Sequence, residues 1–253
     1  MTTNGDTPTS CFASRCSSRI RDAVRRRLTA LVAAAYPPRC LLCGRELRSL
    51  DVLCADCVTS LPAFEGPRCE RCGEPLVDAS TDLCLRCGTH AFSVDRIVSL
   101  GPYHRSWGAL VRAFKFDREI AVGRWLGRRL ADAPRALSPQ SYDVVTYVPM
   151  TRKDRRERGF NQARVLAREV ARTAHLPVRR LLVKTRETSA QRLLTARDRH
   201  KNLREAFRPI PSAYSRVLLV DDIYTTGATV EECARTLKRG GAEHVVALTV
   251  ARA

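Results

Sequence analysis

Two adjacent carboxylates, Asp221 and Asp222, directly follow a run of four apolar residues, Val217–Val220. A loop of threonines with one glycine comes next, over residues 225–229. The hydroxyl groups of this loop, with the free N–H groups at the start of a following helix, would form a cradle for a phosphate. The two carboxylates would repel a phosphate, but they suit sugar hydroxyls or a divalent metal ion. A phosphate cradle beside two carboxylates therefore predicts a phosphorylated sugar as the ligand.

The elements around this stretch predict where it lies in a fold. The apolar run is typical of a strand buried on both faces of a parallel α/β sheet, where ligands bind beyond the carboxyl ends of the strands. Gly227 would let the backbone approach a ligand closely, and a helical pattern follows from Glu231 to Lys238. A buried strand with an ordinary helix cap would explain one acid and one threonine, but not the whole order.

A second group of chemically active residues is the cysteines. Eight of the eleven cysteines form four C-x-x-C pairs, with ten residues between the first two pairs and eleven between the last two. This spacing favours metal ligation over disulfides and indicates a reducing cytoplasm. Two tetrahedral zinc sites of structural type are predicted, in units too small to fold without metal. The predicted ligands are Cys40, Cys43, Cys54, Cys57, Cys69, Cys72, Cys84 and Cys87.

The pairing of these ligands stays open at this stage, because consecutive pairs or alternate pairs could share one zinc ion. Gly44, Gly73 and Gly88 each follow a second cysteine, where a tight knuckle would need a positive φ. Cys233 belongs to no pair and is expected to be a small packing residue.

The composition divides the chain into three parts. Residues 1–35 are predicted to hold a disordered tail and a basic amphipathic helix, 36–92 the double zinc ribbon, and 93–253 an α/β domain. No run of 18 apolar residues occurs, so no transmembrane helix is expected.

Strand and helix patterns alternate through the last part, which predicts a largely parallel sheet with helices on both faces. The basic run Arg152–Arg158 is interpreted as loop-like, and residues 185–200 as a mobile loop or flap. Strands are expected near 94–100, 142–148, 178–184, 217–220 and 244–250, and helices near 110–116, 120–131, 160–173 and 231–238.

The net charge of +18, from 44 Lys and Arg against 26 Asp and Glu, suggests polyanionic partners such as nucleic acid. The arginines are spread over the whole chain, so a generally basic surface explains the charge equally well. The same two interpretations hold for Arg152–Arg158, either an ordinary solvated segment or a surface that faces DNA.

The stretch from Val217 to Val230 resembles the phosphoribosyl-pyrophosphate (PRPP) signature of type I phosphoribosyltransferases, although a smaller aliphatic residue is commoner at Tyr224. Residues 36–252 as a whole resemble the ComF family, which are phosphoribosyltransferase-like proteins tied to natural competence and DNA uptake. The motifs that carry this resemblance, besides the double ribbon and the signature, are Lys115-Phe116, Val148-Pro149-Met150, Arg158-Gly159-Phe160-Asn161-Gln162, and Gln191 with Arg199 and Asn202.

The resemblance implies a fold and a site. The fold is a type I phosphoribosyltransferase-like, mostly parallel sheet flanked by helices, preceded by a small double zinc-ribbon domain. Asp221 and Asp222 would be the catalytic residues and would contact the ribose hydroxyls of PRPP, with Mg²⁺ bridging. The 5′-phosphate would be held by Thr225, Thr226, Gly227, Ala228 and Thr229, and the pyrophosphate by Pro149, Met150, Thr151 and Arg152, with Lys115 and Arg199 as further contacts.

Two functions of different classes follow from the resemblance. One is a phosphoribosyltransferase that uses PRPP and Mg²⁺ for substitution at ribose C1, with residues 185–200 closing over the reaction centre. The other is a non-catalytic protein that retains the PRPP fold and binds single-stranded DNA or regulates its handling. The partners implied are PRPP, single-stranded DNA, competence helicase-type proteins and a second copy of the chain in a homodimer.

Overall fold

The structure is a computed structural model, and it describes residues 37–49, 51–132, 142–186, 203 and 205–253. The predicted N-terminal tail and basic helix lie outside these ranges, as do Arg199 and most of the predicted flap. The described residues form two compact units, which divide between Val58 and Thr59. The domain limits predicted at residues 35 and 92 stay a prediction.

The first unit is a small ribbon around four cysteines. Arg39 and Glu46 form an antiparallel β-bridge, and Gly44 donates its N–H to the carbonyl of Cys40 at 2.8 Å. Gly44 has a φ of +73°, as the knuckle requires. Helix α1 (Ala55–Thr59) follows the third cysteine and carries the fourth.

The second unit starts with a ribbon of the same plan. Arg68 and Pro75 form the β-bridge, Gly73 has a φ of +70°, and helix α2 spans Leu85–Thr89. The positive φ predicted at Gly88 is wrong, because this glycine continues α2 after Cys87. A short helix, rather than a second knuckle, presents the fourth cysteine.

The main sheet has four strands in the order β1-β6-β5-β2, and every neighbouring pair is parallel. The prediction of a mostly parallel sheet is therefore confirmed. The strands are β1 (Arg96–Pro102), β2 (Val144–Tyr147), β5 (Arg216–Tyr224) and β6 (His244–Arg252).

The strand predicted at 178–184 is wrong in both extent and place. Only β3 (Leu182–Lys184) forms, and it pairs antiparallel with β4 (Phe207–Pro209) in a separate two-stranded sheet. Val178 makes a single parallel bridge to Val145. Arg179 and Arg180, which follow Val178, are exposed and do not suit a buried strand.

Helices flank the main sheet and bury both of its faces. Val217 and Leu219 of β5 share a hydrophobic cluster with Val230 and Leu237 of the helix after the strand. Leu218, on the opposite face, is also fully buried. The helices are α3 (Arg105–Phe116), α4 (Ile120–Ala131), α5 (Arg152–Arg158), α6 (Gln162–Ala174) and α7 (Ala228–Arg239).

The loop predicted over the basic run is wrong, because Arg152–Arg158 forms helix α5. The side-chain oxygen of Thr151 accepts a hydrogen bond from the N–H of Asp154 at 3.0 Å and caps the helix start. Gly159, with a φ of +83°, ends the helix.

Across the described ranges, no helix is both long enough and apolar enough to cross a bilayer.

Candidate functional site

The predicted site residues that the structure describes converge at one edge of the main sheet. Strands β2 and β5 run side by side, with Tyr147 in register with Val220, and Val148 donates its N–H to the carbonyl of Val220 at 3.0 Å. The turn that starts at Pro149 therefore leaves the sheet beside Asp221, at the edge where parallel strands present their ligand sites.

The threonine loop leads from β5 into α7 through Gly227. This residue has a φ of +79°, and a Cβ atom built on it would lie 2.4 Å from the hydroxyl of Tyr224. Glycine is therefore required both for the backbone conformation and for the close approach of the tyrosine ring. The N–H of Glu231 donates to the carbonyl of Gly227 at 2.8 Å, so α7 begins there, and the N–H of Ala228 donates to the hydroxyl of Thr226 at 3.4 Å. The start of a helix of this length is a place where N–H groups can turn to an anion.

The second carboxylate is paired with a lysine from another helix. The Nζ of Lys115 lies 2.8 Å from Oδ2 of Asp222, and the two side chains are only 17% and 14% exposed. Oδ1 of Asp221 accepts a hydrogen bond from the N–H of Asp222 at 2.9 Å. The structure thus brings Lys115, predicted as a pyrophosphate contact, against the carboxylate pair.

The first carboxylate is unusually weak as an acid. Burial is the larger cause and repulsion from the charge of Asp222 the smaller one, and together they raise the pKa of Asp221 from 3.8 to about 7. The positive charges of Lys115 and Lys184 oppose this shift without cancelling it. At neutral pH this side chain is therefore divided between its acid and its carboxylate forms, and a cationic ligand would favour the carboxylate.

Sequence reasoning missed a second lysine at the site. Lys184, at the end of β3, is 13% exposed on its side chain, and its Nζ lies 3.9 Å from Oδ2 of Asp154 on α5. Burial lowers its pKa, while the charges of Asp154 and Asp221 act in the opposite direction. Its position directly after the apolar residues Leu181–Val183 was the available signal, because the same arrangement marks the two acids.

The motif Arg158–Gln162 holds the turn after β2 in place. Asn161 caps α6 by accepting the N–H of Arg164 at 2.9 Å, and its Nδ2 donates to the carbonyl of Val148 at 3.1 Å. The ring of Phe160 packs on Phe114, with centroids 5.5 Å apart, beside the lysine of α3. Among the described residues, the buried Nε2 of Gln162 has no hydrogen-bond partner.

The eight paired cysteines form two clusters, each from two consecutive pairs. Within each cluster all four Sγ atoms lie within 4.8 Å of one another, and Cys43 to Cys54 and Cys72 to Cys84 are both 3.7 Å apart. Four sulfurs at ~2.3 Å from a tetrahedral zinc are spaced by about 3.8 Å, whereas a disulfide would need about 2.0 Å. The thiols therefore fit two structural zinc ions, and pairing of alternate motifs is wrong.

One thiol in each cluster ionises readily. Burial alone would raise the pKa of Cys40 and of Cys69, but hydrogen bonds from backbone N–H groups outweigh it and lower both pKa values to about 6. Backbone donors that favour a thiolate are what a metal-binding knuckle requires. Cys233, in α7, is fully buried, and burial keeps its pKa well above the ordinary value, consistent with the predicted packing role.

Comparison with known proteins agrees with both parts of the molecule. A family model described as "Double zinc ribbon domain" matches residues 31–89. "Competence protein F" of Haemophilus influenzae is 32% identical over 225 residues, which cover 85% of this chain and 97% of that protein. "DNA utilization protein YhgH" of Escherichia coli K12 is 32% identical over 212 residues, with 81% and 86% covered.

More distant similarities reach two proteins of Bacillus subtilis. "Competence protein ComFC" is 26% identical over 236 residues, which cover 84% of this chain and 94% of that protein. Among solved structures, a glutamine phosphoribosylpyrophosphate amidotransferase is 24% identical over half of this chain and a quarter of its own, with a TM-score of only 0.35. The near full-length match to competence protein F, together with the double zinc ribbon, shows that the chain belongs to the ComF family of competence and DNA-utilization proteins.

Proposed function

We propose that this protein binds PRPP with Mg²⁺ and transfers the phosphoribosyl group to a nitrogen nucleophile. The observation that carries the proposal is the carboxyl edge of β5. There a phosphate cradle, residues 225–229, adjoins the pair Asp221–Asp222 and two lysines of low exposure, Lys115 and Lys184. A site that combines an anion cradle, acceptors for hydroxyl groups and partly buried cations suits a sugar that carries phosphates at two positions.

Each part of PRPP has a counterpart in this site. Residues 225–229 and the first turn of α7 would hold the 5′-phosphate, since their N–H and hydroxyl groups donate to an anion. Asp221 and Asp222 would accept hydrogen bonds from the ribose hydroxyls and offer oxygen ligands to Mg²⁺. Lys115 would exchange Asp222 for a pyrophosphate oxygen, and Pro149–Arg152 would complete the pyrophosphate contacts.

The proposed reaction is a substitution at ribose C1. The bond from C1 to the pyrophosphate oxygen breaks, its electrons leave with pyrophosphate, and the nucleophile forms the new bond from nitrogen to C1 while losing a proton. Charge develops on the ribose ring during this step, so positioning and electrostatic stabilisation would supply most of the rate. When bound, Mg²⁺ supplies charge to the leaving pyrophosphate. Asp221 and Asp222 would orient the ring, while Lys115 and Lys184 would face the negative charge.

The test is calorimetric titration of the zinc-loaded protein with PRPP and Mg²⁺. We expect 1:1 binding by the wild type and its loss in the Asp222→Asn variant. Asp132→Asn, which changes an exposed carboxylate at the end of α4, is the matched control and should bind normally. Absence of binding by the wild type would refute the proposal. If binding is found, release of pyrophosphate with a panel of nitrogen nucleophiles tests the transfer step.

Single-stranded DNA is a second candidate ligand, because of helix α5. All five of its basic side chains are exposed, and the helix directly follows the turn beside the carboxylates. Two of the relatives are named for competence and one for DNA utilization. The basic residues are Arg152, Lys153, Arg155, Arg156 and Arg158.

Salt dependence tests the DNA proposal. Each phosphate contacted adds about 0.7 to the slope of log affinity against log salt for a single strand, so Arg155→Gln with Arg156→Gln should reduce the slope by about 1.4. A matched control on α6, Arg168→Gln with Arg172→Gln, removes the same charge and should leave the slope unchanged. Equal losses in the two double variants would show a general charge effect and refute a DNA site on α5.

Eight zinc-binding thiols suit a reducing cytoplasm, where we place both activities.

A further inference from the structure

We propose that the second cysteine cluster holds the phosphate loop, which is the cradle of residues 225–229, in its binding conformation. Arg86 and Arg252 are the positioning residues. This inference rests on the proposed PRPP function, since it concerns the loop that would hold the 5′-phosphate. It assigns the second zinc ribbon a part in ligand binding, in addition to stabilising its own fold.

Arg86 makes the first connection. It lies on α2 between the ligands Cys84 and Cys87, and its Nη2 donates to the carbonyl of Thr226 at 2.9 Å across 140 residues of sequence. A trans peptide unit is planar, with its C=O and N–H groups pointing in opposite directions. Fixing the carbonyl of Thr226 on the ribbon side therefore turns the N–H of Gly227 away from the ribbon, where it can donate to a phosphate.

Arg252 makes the second connection, at the end of β6. Its Nη1 donates to the carbonyl of the ligand Cys72 at 2.6 Å, and its Nη2 pairs with Glu74 of the same ribbon. Its guanidinium also lies 4.7 Å from the centroid of the Tyr224 ring. The Tyr224 ring in turn packs against Gly227 so closely that no side chain fits between them.

Tyr224 therefore links the loop to the ribbon through Arg252. A small aliphatic residue in place of Tyr224 would present no ring to Arg252 and would not reach Gly227 in the same way. The buried ring also belongs to the hydrophobic cluster that contains Cys69, Cys72 and Cys87.

These contacts depend on the metal. The cluster joins the knuckle at Cys69 and Cys72 to the short helix that carries Cys87, so a bound zinc ion would fix these two segments relative to each other. Loss of zinc would therefore displace the carbonyl that Arg252 contacts and the helix that carries Arg86. Because coupling between two sites is reciprocal, a bound ligand in the phosphate loop should also stabilise the second ribbon.

The variant that tests this inference is Arg86→Met, because Arg86 is exposed and its loss leaves the core intact. Arg86→Lys keeps the charge and one donor, and Arg172→Met removes one exposed arginine from α6 as the matched control. Zinc content by elemental analysis, hydrogen exchange of peptides that cover residues 220–230 and 69–87, and the affinity for PRPP with Mg²⁺ are measured on each full-length protein.

We expect Arg86→Met to retain two zinc ions while the amides of residues 225–229 exchange about tenfold faster, the effect of losing one charge-assisted hydrogen bond. PRPP affinity should fall by a similar factor, Arg86→Lys should recover part of both losses, and Arg172→Met should behave as wild type. In the wild type, PRPP with Mg²⁺ should slow exchange in residues 69–87, and this protection should disappear in Arg86→Met.

The inference is overturned if the loop of Arg86→Met exchanges at the wild-type rate. It is likewise overturned if bound PRPP leaves residues 69–87 unprotected in the wild type. Failure of the wild type to bind PRPP would refute the proposed function separately, because exchange of the loop without ligand still reports whether Arg86 positions it.

Discussion

Replacing Asp221 by asparagine should stabilise the ligand-free protein at alkaline pH while removing its capacity to bind PRPP. A carboxyl group with a higher pKa in the folded state than in the unfolded state binds more protons when folded. The free energy of unfolding therefore falls as the pH rises between the two pKa values, here from 3.8 to about 7. At about 1.4 kcal/mol per tenfold change in the ionisation constant, the folded protein loses up to about 4 kcal/mol above pH 7.

Asparagine avoids this cost, because it is neutral at every pH and its oxygen can still accept the N–H of Asp222. Denaturant unfolding of the zinc-loaded protein at pH 5 and pH 8 measures the effect. We expect Asp221→Asn to exceed the wild type by about 1.5–2 kcal/mol at pH 5, where the unfolded carboxyl is already ionised, and by about 4 kcal/mol at pH 8. Asp132→Asn should show no such pH-dependent gain. If Asp221→Asn were no more stable than the wild type at pH 8, the claim that burial and Asp222 destabilise the charged form of this carboxylate would be refuted.

Three further predictions concern ligand binding. PRPP affinity should rise by about tenfold per pH unit below pH 7 and level off above it, as Asp221 ionises, and calorimetry in two buffers should detect the released proton. Lys115→Met should move the midpoint of that profile upward, because the lysine favours the charged form of Asp221; an unchanged midpoint would contradict the electrostatic account. Gly227→Ala should lower PRPP affinity more than about tenfold, since the added methyl group would collide with Tyr224. Gly66→Ala is the control, because Gly66 has a similar positive φ of +71° but open space around it. This variant should lose only about 1 kcal/mol of stability and no affinity for PRPP.

The local parts of the site could be predicted from the sequence, because each is written in contiguous residues. An apolar run followed by Asp221 and Asp222 indicates a buried strand that ends in carboxylates. The glycine of the loop indicates a tight turn into a helix, and the structure shows both. The cysteine spacing likewise predicted the eight zinc ligands, although not how they are shared between the two clusters. In these cases the chemistry depends on neighbours a few residues apart, which periodicity and turn preferences determine.

The basic run Arg152–Arg158 shows where local patterns were insufficient. Its charges suggested a loop, yet Thr151 caps it and Gly159 ends it, so it folds as a helix with its basic side chains exposed. The run contains no apolar residue, so it has no hydrophobic period, the main sequence signal of a helix, although the capping residues were visible.

Only the tertiary structure decided how distant segments combine. It paired Lys115 with Asp222, brought Lys184 beside Asp154, and grouped consecutive rather than alternate cysteine pairs. It also placed Arg86 of the second ribbon against the carbonyl of Thr226, in the loop of residues 225–229. None of these contacts leaves a periodic trace in the sequence, because each depends on which helices and strands pack together once the sheet has formed. The sequence by itself therefore determined which groups could hold a phosphorylated sugar and zinc. Packing determined the charge state of these groups and the distant residues that contact them.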